Sequence, residues 1–208
     1  MNSLVIASFL AAFSLTRISS LRAAVAVLVV QSAAVAAACA VLGLETGEGH
    51  MYVAAFLTVA IKVGYIPYSL MNIVNRLHRE REEHPILNAN YSSLAAACAV
   101  VLAYGLIDKA LPGVVSRDAL AAAVALVLIG LLLIMTRRQA LMQIVGLITM
   151  ENGIYLLGLS VVRGLPLVIE LGIFLDVLVA VLVLVMLTYR LKISFLSTDT
   201  SHLKKLKG

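Results

Sequence analysis

Three acids and one base stand where an apolar chain would ordinarily carry none. Glu151, Glu170 and Asp176 fall within residues 137 to 176, inside two apolar runs long enough to cross a bilayer, and Lys62 lies near the centre of a third, residues 51 to 75. A carboxylate in hydrocarbon costs roughly 2.5 to 3.5 kcal/mol even on insertion scales, so such groups need partners, water or a task. Burial and neighbouring charge move the proton affinity of carboxyl and amine groups readily, so in a dry site they can hand protons to one another. The chemistry on offer is proton relay through Glu151, Glu170 and Asp176, with Lys62 tuning them or passing protons itself. Carboxylates with backbone and hydroxyl oxygens also suit a hard cation such as sodium.

The spacing refines this reading. Glu151 sits near the middle of the run 139–161, Asp176 near the middle of 165–189 and Lys62 near the middle of 51–75, so all three are expected close to the membrane midplane. Glu170 precedes Asp176 by six residues, roughly 9 Å along a helix axis, which puts it nearer the outer surface. The same step turns it by about 120°, so the two address different neighbours. Glu151 and Tyr155 are i and i+4 on one face with Asn152 beside them, and Lys62 and Tyr65 are i and i+3, so each charge expects a hydroxyl nearby. Pro67 removes a backbone donor and is expected to kink the helix near Lys62. The plainer alternative is a fixed buried pair between Lys62 and one acid, with the others bonded to backbone or small hydroxyls. Three acids against one base favour the relay.

The elements that must position these groups are all helical. Of 208 residues, 62% are hydrophobic and 13% charged, whereas a soluble domain is about half apolar and a quarter charged, so the chain reads as an integral membrane protein. Apolar runs at 2–16, 23–44, 51–75, 91–111, 118–136, 139–161 and 165–189 predict seven transmembrane helices, most near the roughly 20 residues a bilayer needs. The first reads as a retained helix, not a signal peptide. Breaks at Pro112-Gly113 with Arg117-Asp118, at Arg137-Arg138 and at Arg163-Gly164 make tight connections, and 76–85 is the longest polar loop. Most of the 16 basic residues fall on one side if the chain runs N-out and C-in, which the positive-inside rule then predicts. Three regions follow: a five-helix part, 1–136; a two-helix part with the carboxylates, 137–189; and a basic tail, 190–208, expected at the cytoplasmic surface against anionic lipid or a peripheral subunit. Tyr52, Tyr68 and Tyr91 read as interface belt.

Several function classes are disfavoured. The net charge of +5 comes from basic residues between apolar runs without interleaved aromatics, so nucleic acid is not the expected partner. Cys39 and Cys98 lie in separate runs without CxxC spacing and read as packing residues. His50, His78, His84 and His202 fall in loops or the tail, so no mid-membrane haem pair is expected, and no GxxxxGK[ST] marks an ATP-driven pump. No catalytic, cofactor-binding or metal site is expected in the chain. No inverted repeat marks a stand-alone transporter.

The stretch RRQALMQIVGLITMENGIYLLGL resembles the second helix of the small three-helix subunit of respiratory complex I, where a doubly basic turn precedes a buried glutamate and then an asparagine. Aligned on Arg137-Arg138, Asn152 matches the family asparagine, while the family glutamate falls on Ile148 and the acid here is Glu151, about a turn later. VIELGIFLDVLVAVLVLVML resembles that subunit's third helix, with Glu170 matching its glutamate. The whole chain is more similar to the hydrogenase-4 component E family, through MENG at 150–153, IELGI with Asp176 following, IKVGYIP spanning Lys62 to Pro67, and the terminal LKG. The resemblance implies a non-redox, multi-pass subunit of the prokaryotic cytoplasmic (inner) membrane in a group 4 [NiFe] hydrogenase or formate hydrogenlyase complex. It further implies antiporter-like membrane subunits, a membrane anchor subunit and a peripheral cytoplasmic arm as partners, with the [NiFe] site and iron-sulfur clusters carried by those partners. A structural scaffold without an ion path is the alternative role.

Overall fold

The computed structural model describes residues 2–47, 49–75, 81–82, 85–110, 117–161, 172, 178–181 and 183, and these are helical apart from short connections. In order they form α1 (Asn2–Leu15), α2 (Leu21–Thr46), α3 (Gly49–Thr58), a π-helical segment (Val59–Tyr65), α4 (Ile66–Asn75), α5 (Ala89–Ala110), α6 (Arg117–Thr136) and α7 (Ala140–Val161). Among the described residues five stretches are long and apolar enough to cross a membrane: α2, the continuous Met51–Asn75, α5, α6 and α7. Their boundaries agree with the sequence expectation to within a turn. The count of seven is not reproduced, because of the two ends. With 14 residues, α1 rises about 21 Å, short of a hydrocarbon core of about 30 Å. The helix expected at 165–189 lies mostly outside the described residues, although Gly172, 178–181 and 183 are helical.

Backbone chemistry explains the breaks. Gly47 takes the left-handed conformation, φ 73°, and its N–H bonds the Gly43 carbonyl, closing α2. In the third membrane stretch the Pro67 ring would collide with the carbonyl four residues back. The preceding turn widens instead, and the Ile66 N–H bonds the carbonyl of Ile61, five residues back. Pro67 then falls in the first turn of α4, where its missing donor matters least.

The core sits between α2, α6 and α7. α2 touches α1, α3, the π segment, α4 and α7, and α6 packs on α7 most extensively of all. The approach of α6 and α7 is set by glycines: a Cβ on Gly130 would land on the Met150 backbone, and one on Gly153 would lie 2.7 Å from the Val127 nitrogen. α5 is the outer helix, with 22% of its apolar window buried against 61% for α6 and α7. It leaves Leu94, Val101, Leu102 and Leu106 exposed, a face suited to lipid or a neighbouring subunit. Cys98 is exposed on α5 while Cys39 is buried, so only Cys39 is a packing residue as expected. Tyr52, Tyr68 and Tyr91 are exposed near helix ends.

Candidate functional site

Lys62, in the π segment, and Glu151, in the middle of α7, meet in the interior with Lys62 Nζ 3.4 Å from Glu151 Oε1. Both are buried, at 0% and 2% exposure. The ammonium also donates to Asn152 Oδ1 at 3.1 Å and lies 5.5 Å from the centre of the Tyr155 ring, within the range of a cation–π attraction. The helical repeat of α7 thus does what the sequence predicts, presenting Glu151, Asn152 and Tyr155 together. The base that faces them is Lys62. A buried pair of this kind holds only where further hydrogen bonds offset the desolvation of both ions.

Those further bonds come from α1 and α2. Asn152 Nδ2 donates to Ser32 Oγ at 3.2 Å and to Gln31 Oε1 at 3.4 Å. The Thr149 hydroxyl, 2.8 Å from the Val145 carbonyl, also reaches Gln31 Oε1 at 3.3 Å. Gln31 Nε2 in turn donates to the Ser8 carbonyl of α1 at 3.3 Å. Gln31, Ser32, Thr149 and Asn152 are all buried. The sequence reading named Asn152 and missed the other three; a Gln-Ser pair inside the otherwise apolar run 23–44 was the available signal.

Tyr65 is a correction. It is 41% exposed while Lys62 is fully buried, so it offers Lys62 no hydroxyl. The i, i+3 argument assumes 3.6 residues per turn, and the π segment closes i to i+5 bonds, so three residues turn through less and residue 65 stops short of the face of residue 62. Pro67 is buried one turn on. Glu170 and Asp176 lie outside the described residues. Gly172 packs directly against the Tyr155 ring, because a Cβ there would overlap it, so Gly172 borders the site.

A second buried ion pair occupies one end of the bundle. Arg137 Nη1 donates to Glu82 Oε2 at 3.0 Å, and Arg137 Nη2 donates to the carbonyls of Leu15 and Thr16 at 3.0 and 2.9 Å, at the C-terminus of α1. Glu82 Oε1 accepts from the backbone N–H of Arg138 and Gln139 at 2.7 and 3.1 Å, at the N-terminus of α7. Each charge therefore complements a helix end of opposite polarity. The Glu82 N–H bonds the Ser19 carbonyl and the Ile86 N–H bonds the Thr136 carbonyl, so three connections meet there. The sequence reads 76–85 as the longest polar loop and the basic residues as topology signals; the structure adds that Glu82 and Arg137 are buried, at 5% and 3% exposure.

Among the described residues no group of three His, Cys, Asp or Glu could hold a metal ion. The arrangement around Lys62 can hold a cation against a carboxylate in an apolar interior and can exchange a proton between them.

The chain is 33% identical over 191 residues, 90% of its length and 86% of the relative's, to an uncharacterized protein of Mycobacterium tuberculosis strain H37Rv. It is 32% identical over 156 residues to hydrogenase-4 component E of Escherichia coli K12, covering 74% of this chain and 71% of that one, and equally to the protein of that name in Shigella flexneri. No protein-family model matches the chain, and no solved structure does. With identity at this level sustained across more than two thirds of both sequences, and five membrane-length helices around a buried ion pair, the protein belongs to the hydrogenase-4 component E family.

Proposed function

We propose that the chain is a non-redox membrane subunit of a complex I-related group 4 [NiFe] hydrogenase or formate hydrogenlyase complex, coupling electron transfer in its partners to proton, or sodium, movement across the cytoplasmic membrane. The observation that carries this is the pair of Lys62 and Glu151, 3.4 Å apart and buried amid apolar helices. An intramembrane ion pair facing the bundle interior is the usual mark of an ion path. In this reading Glu151 and Lys62 exchange the proton, Glu170 and Asp176 continue the relay, and Asn152 and Tyr155 hold Lys62. The chain runs N-out and C-in through seven spans. Its 137–189 region works as the counterpart of the small three-helix subunit of complex I, and the 190–208 tail meets lipid or a peripheral subunit. Antiporter-like subunits, a membrane anchor subunit and a cytoplasmic hydrogenase arm are the partners, and the [NiFe] and iron-sulfur centres reside in that arm.

A second reading, a scaffold with no path of its own, is favoured by the Glu82–Arg137 contacts, which tie three connections together at one end of the bundle. The two separate in native membranes. Glu151→Gln in an assembled complex abolishes the ion gradient formed during hydrogen-linked electron transfer if the pair is a relay. An undiminished gradient in that variant leaves the scaffold. Purification under mild detergent with mass-spectrometric identification of co-purifying subunits tests membership of the complex, and a chain that emerges alone removes it.

A further inference from the structure

The direction of the hydrogen bonds around Asn152 is decided at α1. A side-chain amide can be turned end for end, and its orientation follows from its neighbours. A backbone carbonyl has no such freedom, because it only accepts. The Ser8 carbonyl therefore requires Gln31 Nε2 at its 3.3 Å contact, which turns Gln31 Oε1 toward α7. That oxygen takes Asn152 Nδ2 and Thr149 Oγ1. Ser32 Oγ, the other neighbour of Asn152 Nδ2, is a rotatable hydroxyl that could face either end of the amide. The ammonium form of Lys62, a donor only, also requires Asn152 Oδ1, but a neutral amine could accept, so Gln31 is the group that keeps Oδ1 turned toward Lys62 in both states. Were the amide reversed, Lys62 would meet two N–H donors in place of an acceptor.

We infer that Gln31 is a positioning residue for the membrane site, acting through Asn152 to hold the Lys62 amine beside Glu151 in both its charged and its neutral state. An amine retains hydrogens to give Asn152 Oδ1 after it has passed a proton to the carboxylate, so the same chain of bonds serves before and after transfer. This rests on the proposed proton exchange between Lys62 and Glu151. It gives α1, the shortest of the apolar stretches, a role beyond crossing the membrane: α1 supplies the fixed acceptor from which the polarity of the site is set.

The test uses the assembled complex in native membrane vesicles, with acidification read by a pH-sensitive dye and assembly checked by native electrophoresis. Gln31→Leu removes all three bonds and is expected to reduce coupled proton movement about tenfold with electron transfer retained, the order of the one buried hydrogen bond that orients Asn152. Gln31→Glu is the sharper variant. Its protonated carboxyl donates to the Ser8 carbonyl and accepts from Asn152 as glutamine does. Once ionised it faces that carbonyl without a proton and competes with Glu151 for Lys62. Among the described residues the titratable neighbours are Lys62, Glu151 and Tyr155, beyond Asn152. Coupling in Gln31→Glu should approach the native level in acid and fall toward that of Gln31→Leu as pH rises, a profile a merely space-filling role would not produce. A Gln31→Glu profile parallel to the native one, or full coupling in assembled Gln31→Leu where Glu151→Gln has none, overturns the inference. If Glu151→Gln itself leaves coupling intact, the proton-exchange reading fails and takes this inference with it.

Discussion

Two buried ion pairs among the described residues are built on different principles. Glu82 and Arg137 are 3.0 Å apart, and their remaining contacts are backbone groups at the ends of α1 and α7, fixed by the helices that carry them. Lys62 and Glu151 stand 3.4 Å apart, and side chains hold Lys62 there, the Asn152 amide and the Tyr155 ring. A charge held by helix ends cannot shift without unravelling a helix. A charge held by side chains can shift by rotamer and by proton. The first pair fixes the frame, and the second is where charge can move.

Simultaneous apolar replacement separates the two most strongly. Removing one partner of a buried pair costs about 3–5 kcal/mol, whereas replacing both with apolar residues is often neutral. Lys62→Met alone should destabilise the purified complex by that amount in thermal unfolding. Lys62→Met with Glu151→Leu should recover most of the stability while ion coupling stays absent. Glu82→Leu with Arg137→Leu should recover little, because the buried Leu15 and Thr16 carbonyls lose their donor and the Arg138 and Gln139 N–H groups lose their acceptor. Exchanging the charges, Glu82→Arg with Arg137→Glu, should also fail to rescue, since each would face a helix end of its own sign. Rescue there would reduce the second pair to a simple ion pair.

Smaller effects sharpen the same contrast. Gly153→Ala forces α6 from α7 and should cost about 1–3 kcal/mol, read as a lower unfolding temperature, with coupling reduced because α7 carries Glu151. Tyr155→Leu should cost about 0.5–2 kcal/mol through the lost cation–π contact, and Tyr155→Phe should retain most of it in the same measurement. Tyr65→Phe should lie within about 0.5 kcal/mol of the native protein in unfolding assays, being an exposed position away from the pair. A large loss there would return Tyr65 to the site.

What the sequence made legible follows from how local each signal is. Charges in apolar runs stand out, so Lys62, Glu151 and Asn152 were found, and the helical repeat of α7 put Tyr155 with them. The helix boundaries followed from hydropathy alone. Glu82 escaped because a polar residue in a polar loop reads as solvated, and its burial depends on three connections meeting in space. Gln31 escaped because a neutral side chain raises no alarm until its partners on α1 and α7 are known. Tyr65 was misplaced because residue counting assumed one helical pitch throughout. Glu170 and Asp176 stand where the sequence reading left them.

The π segment also has a consequence for how this gene can tolerate change. Val59–Tyr65 holds one more residue than an α-helix of equal turns, a slack that would close if a single residue were lost between Val59 and Ile61. Such a deletion returns the segment to an ordinary α-helix and leaves α3 and α4 on the faces they now present. The span is therefore a place where one codon can be lost without re-registering its two halves, and what a shortened variant forfeits is the widened turn that seats Lys62 and accommodates Pro67.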